Sequence, residues 1–116
     1  MSAEPSPPRW IGPARHELPL IDERGLVAAR ATEVAIAAAV ERGQERWATF
    51  LASLPDRFRD GDLRDMRAAG MRGRAAFGPK DSIRDVLPAG VTEPLLEAVD
   101  RLLRELNRFD RSGRRE

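Results

Sequence analysis

Cysteine is absent from the chain, which excludes disulfide staples, thiolate nucleophiles and thiolate metal ligands together. Histidine is nearly absent: His16 is the only one, set between Arg15 and Glu17 in a proline-rich stretch. A catalytic imidazole needs a nucleophile and an orienting group held around it, so His16 reads as a surface residue. An excess of either charge is missing too. With 20 basic residues against 19 acidic ones the formal charge is +1, and no global field draws the chain to nucleic acid or membrane. The longest apolar run, residues 34–40, falls far short of the about 20 residues that cross a bilayer. The opening Met1-Ser2-Ala3-Glu4-Pro5 has neither the basic nor the apolar region of a leader, so a cytoplasmic protein with no membrane partner is expected. No stretch alternates with period two and none repeats at solenoid spacing, so neither strands nor repeat arrays are expected.

What is present suits one helical core. The 116 residues suffice for one ordinary domain, and 41% hydrophobic with 34% charged residues fits helices that bury one stripe and solvate the rest. Five of the nine prolines fall within residues 1–20, where missing donors and restricted neighbours predict a flexible arm. That arm carries one bulky apolar pair, Trp10-Ile11, suited to tuck onto the core or to dock on another protein. Residues 21–110 then form a single helical domain, and 111–116 a polar tail.

Within that domain the expected fold is all-α, a small bundle of three main helices at about 22–54, 63–77 and 92–109, with a short helical turn near 82–87. Asp22 serves as the first cap, and Val27, Ala31, Val34 and Ala38 recur at helical spacing as the inward stripe. The stripe keeps phase across Gly43, whose cost of about 1 kcal/mol in a helix interior is too small to break a packed helix. The helix therefore continues to Leu54, and Pro55 closes it. Asp62 caps the second helix, with Leu63, Met66, Gly70 and Phe77 on one face, and Gly78-Pro79 stops it. Asp81 or Ser82 starts the short turn. Thr92, Glu93 and Pro94 read as cap, first-turn acid and first-turn proline of the last helix. Leu95, Leu96, Val99, Leu102, Leu103, Leu106 and Phe109 form its stripe, with Glu97–Arg101 and Asp100–Arg104 as stabilising pairs.

The motifs that would carry chemistry fail on inspection. Asp60-Gly61-Asp62 lacks the later ligands of a calcium loop, because Arg64 and Met71 occupy those positions. Glu41 and Glu45 stand one turn apart without an accompanying Glu-x-x-His. Pro79 and Asp81 flank Lys80 where a phosphate loop needs glycine and a hydroxyl residue. No catalytic, metal or cofactor residue is assigned, and a non-enzymatic protein is expected. Arg67, Arg72, Arg74 and Lys80 make an acid-free basic stretch and are the candidates for contact with phosphate or an acidic partner. Nucleic-acid binders usually carry a larger basic excess together with aromatic or amide residues to read bases, so a solvated face or an acidic partner suits it better than nucleic acid.

Two features point to a protein partner. Residues 34–40 are apolar all round and call for cover on more than one side. The leucine stripe, doubled at Leu95-Leu96 and Leu102-Leu103, needs two neighbours: the alanine-rich helix is one candidate, and the second is either the 63–77 helix or another chain. Trp10, Ile11, Leu95, Leu102 and Leu106 are therefore the candidate partner-binding residues.

The Glu45-Arg46-Trp47 helix, the Gly61-Asp62-Leu63 turn and the terminal leucine helix together resemble small helical proteins associated with bacterial CHAT-protease and TIR conflict systems. That resemblance implies a helper protein of such a system. The residues themselves lead to a small helical interaction or accessory subunit, with self-association into a homodimer as one form. The alternative is a nucleic-acid-binding regulator working through residues 67–80.

Overall fold

Proline and glycine divide the chain where its helices meet. The structure is a computed structural model describing residues 13–113. A 3₁₀ turn, Arg15–Glu17, leads into α1 (Pro19–Glu41), α2 (Glu45–Leu51), α3 (Leu54–Asp60) and α4 (Leu63–Ala75). A second 3₁₀ turn, Ile83–Asp85, precedes α5 (Ala89–Gly113). Among the described residues the fold is all-α, as expected, but five α-helices replace the three that periodicity suggested.

The extra boundaries have local causes. Gly43 takes φ 71°. Its N–H donates to the Val40 carbonyl at 3.1 Å and that of Gln44 to Ala39 at 2.7 Å. This pair of bonds closes the orphan carbonyls of a helix end around a left-handed glycine, so Gly43 terminates α1 instead of lying inside a continuous helix. The apolar phase survives only because α2 resumes after a very short turn. Pro55 occupies the first turn of α3, where its missing donor costs nothing, so it opens a helix where closure was expected. Asp62 does cap α4: its Oδ1 accepts from Asp65 N–H at 2.8 Å, while Asp65 Oδ2 accepts from Asp62 N–H at 3.3 Å. Ser82 and Asp85 repeat that reciprocal cap at the second 3₁₀ turn.

Both outer ends also move. α1 starts at Pro19, so Asp22 lies inside its first turn and accepts from Arg15 Nε at 2.9 Å. Arg15 Nη1 also donates to the Gly61 carbonyl at 2.9 Å, which ties the last part of the expected arm, residues 13–20, to the domain. Residues 1–12, with Trp10 and Ile11, lie outside the described residues. At the other end, α5 begins at Ala89 because the Pro88 carbonyl accepts from both Val91 and Thr92 N–H. Thr92 is consequently not a cap but a buried helical residue, and Pro94 sits within the helix. α5 also runs through the first part of the expected tail, to Gly113.

α1 is the central element, packing against α5, α3 and α2, while α4 packs on α5 and α3. After Ile21 its inward face is made of small residues: Gly25, Ala28, Ala29, Thr32, Ala35 and Ala39 are buried. Gly25 marks the closest approach, since a Cβ there would lie 2.7 Å from the Phe58 carbonyl oxygen of α3. Thr32 satisfies its hydroxyl by donating to the Ala28 carbonyl at 2.7 Å. Bulk comes from the other helices, through Trp47, Leu51, Phe58, Met66 and the α5 leucines. The Val27–Val34 stripe expected to face inward is exposed instead. No described helix is long and apolar enough to cross a membrane.

Candidate interaction surface

The candidate residues named above have three different fates. Trp10 and Ile11 fall outside the described residues. Leu95, Leu102 and Leu106 are 0%, 0% and 1% exposed, covered by the chain's own helices. Their stripe is core, so it offers no surface to a partner. Its two neighbours are α1 and α4, and a second chain is not needed to cover it.

The basic stretch is likewise largely used up internally. Arg67 donates to Asn107 Oδ1 at 2.8 Å and pairs with Asp110, clamping α4 to the last turns of α5. Arg74 pairs with Asp100 at 3.1 Å across the same two helices, which takes Asp100 from its expected partner Arg104. Arg72 lies 4.0 Å over the Phe50 ring and its Nε donates to the Phe50 carbonyl at 3.0 Å. These three guanidiniums fasten helices together, Arg67 and Arg74 through ion pairs and Arg72 through the Phe50 ring and carbonyl, whereas Lys80 makes no ion pair among the described residues. Lys80 borders a recess of about 410 Å³ with Arg46, Trp47, Phe50 and Asp81. There Arg46 grips Asp81 with two bonds, of 3.1 and 2.9 Å. Those hydrogen bonds, and then the charge behind them, hold the Asp81 carboxyl below the usual carboxylate range and push Arg46 upward.

What the described surface leaves open is the outer face of α1. Val27 is 49% and Val34 52% exposed, one above the other two turns apart, with Ala31 between them. α5 runs antiparallel beside this face: Pro19 and Leu20 share a recess with Glu105 and Phe109, whereas Val27 to Val34 share one with Pro94 to Arg101. The second recess is a groove of about 360 Å³. Its floor is Val27, Ala31 and Val34 from α1 with Pro94 and Ala98 from α5. Arg24, Arg30 and Arg101 stand on its rim, with Glu97 as the one acid.

The rim charges are unequally engaged. Arg101 pairs with Glu97 at 2.8 Å, the pair expected from their spacing. Arg24 and Arg30 make no ion pair among the described residues, and the buried Arg24 Nε has no hydrogen-bond acceptor among them. Periodicity assigned Val27 and Val34 to the interior because they recur with Ala31 and Ala38 at three- and four-residue spacing. The signal that locates them correctly is charge: Asp22, Glu23, Arg24, Arg30, Glu33 and Glu41 mark the outside, and with Arg24 beyond the Val27–Val34 side the widest charge-free arc of the helix is the alanine face.

His16 is largely solvent-exposed, 4.0 Å from Glu17. Among the described residues no three His, Cys, Asp or Glu side chains converge to hold a metal ion. Comparison of the chain with protein families, curated proteins and solved structures finds no match.

Proposed function

We propose that the protein is a non-enzymatic helical accessory protein that works by docking, with the outer face of α1 and the adjoining α5 groove as its contact surface. The observation that carries this reading is the half-exposed Val27–Ala31–Val34 stripe, which forms a continuous apolar floor with Pro94 and Ala98. Isolated exposed apolar residues are ordinary on any protein surface. A contiguous strip in a concave groove with a polar rim is the arrangement an α-helical partner or a subunit face fills.

A paired comparison tests this. The full chain and its Val27→Glu, Val34→Glu variant are purified from the same source under identical conditions. Far-UV circular dichroism and thermal melting should match between them. The wild-type chain should retain a stoichiometric partner, or form a dimer by light scattering, that the variant loses. A wild-type monomer that retains nothing the variant lacks would overturn the reading.

A further inference from the structure

We infer that the occupant of the α1–α5 groove is an acidic amphipathic helix of another protein. This rests on the docking reading above and adds the chemistry of the partner. Four charged residues line the groove, three guanidiniums and one carboxylate, so its rim is positive although the chain as a whole is nearly neutral. Glu97 is already occupied by Arg101. Arg24 and Arg30 flank the apolar floor without an ion pair among the described residues. A ligand that covers Val27, Ala31 and Val34 takes these guanidiniums partly out of water, which is tolerable only if it brings carboxylates to them. The floor dictates the ligand's shape. Residues at positions 27, 31 and 34 form a straight seam along α1, and the complement of such a seam is a helix with apolar side chains at i, i+4 and i+7.

Charge also decides against a second copy of this chain. A two-fold axis laying Val27 of one copy on Val34 of the other passes between Arg30 and Ala31. It sets the two Arg30 guanidiniums face to face as the interface closes, a like-charge contact in a drying environment. A partner segment with Asp or Glu on both flanks meets no such conflict.

A displayed library of helical peptides tests the inference against the full-length chain, with apolar residues fixed at i, i+4 and i+7 and every flanking position randomised. Selection on the wild-type chain should enrich Asp and Glu at the flanks. Selection on the Arg24→Glu, Arg30→Glu variant should enrich Lys and Arg. A selected acidic peptide should bind that variant about tenfold more weakly, and the Arg30→Glu variant alone by less, as rim ion pairs of ordinary strength imply. The single variant guards against a folding defect, because Arg30 is exposed. Peptides selected with neutral or basic flanks would overturn the acidic partner while leaving the docking surface standing. A dimer that Val34→Glu dissolves would do the same, in favour of a second copy. Failure to select any peptide that prefers wild type over the Val27→Glu, Val34→Glu variant, together with a monomeric chain, would remove both the inference and the reading beneath it.

Discussion

The two longest helices, α1 and α5, both carry an apolar stripe, and they use it in opposite ways. α5 turns its large residues inward, so Leu95, Val99, Leu102 and Leu106 are the fully buried seam of the domain. α1, beyond Ile21 at its start, turns alanine, glycine and threonine inward and holds Val27 and Val34 out to solvent. The difference shows that size does not decide burial in a helix packed on several sides. A central helix must let its neighbours approach, and small residues allow that, while the neighbours supply the bulk. Large residues on such a helix are then free to serve a surface.

The comparison can be broken or sharpened by substitution. The largest effect is expected at Leu102→Ala, about 2–5 kcal/mol of unfolding free energy for truncating a buried leucine, read from urea denaturation. A loss below about 0.5 kcal/mol, the range of surface substitutions, would erase the distinction between the two stripes. Gly25→Ala should cost about 1–3 kcal/mol, because the added methyl meets the Phe58 carbonyl oxygen and backbone must shift to admit it. An unchanged denaturation midpoint there would mean that α1 and α3 are not closely apposed. Val34→Ala should change stability by no more than about 0.5 kcal/mol, as fits a side chain facing solvent. A core-sized loss at Val34 would place its stripe inside.

The smallest effect concerns acid stability. The Asp81 carboxyl titrates below its ordinary value in the folded chain, so its pair with Arg46 stabilises fully above the ordinary carboxylate pKa of about 3.9 and is lost as pH falls through the lower folded value. Asp81→Asn should therefore lower stability slightly at neutral pH and converge with the wild-type chain as pH falls through the folded value, which slightly flattens the acid limb of its stability–pH profile. Superimposable acid limbs would show that this exposed pair contributes nothing measurable.

How far the fold was readable followed from whether bulk and charge agreed. Along α5 they do: leucines recur at three- and four-residue spacing with Glu97 and Arg101 on the outer face, and the helix was legible through most of its length. Asp62 was legible as a cap because its reciprocal partner Asp65 is three residues on. Along α1 bulk and charge disagree, and following bulk put the stripe on the wrong face. Gly43 and Pro55 were ambiguous for a different reason. A glycine can lie within a helix or end it, and a proline can end one helix or open the next, so the outcome depends on backbone angles that periodicity does not encode. Thr92 had every local attribute of a cap, yet Pro88 offered an earlier start, and burial of Thr92 followed. The groove was hidden because half of it comes from α5. Pro94, Ala98 and Arg101 meet Val27 and Val34 only once the two helices lie antiparallel.

The alanine face of α1 has a consequence for mapping this molecule by mutagenesis. Scanning by truncation, the usual route to the important positions of a small domain, is silent on Ala28, Ala35 and Ala39, because they have nothing to lose. Such a scan would portray the most central helix as nearly dispensable on its inner side and highlight its neighbours, through Trp47, Leu51, Phe58, Met66 and the α5 leucines. Substitutions that enlarge, such as Ala35→Leu, are the ones that make this helix visible.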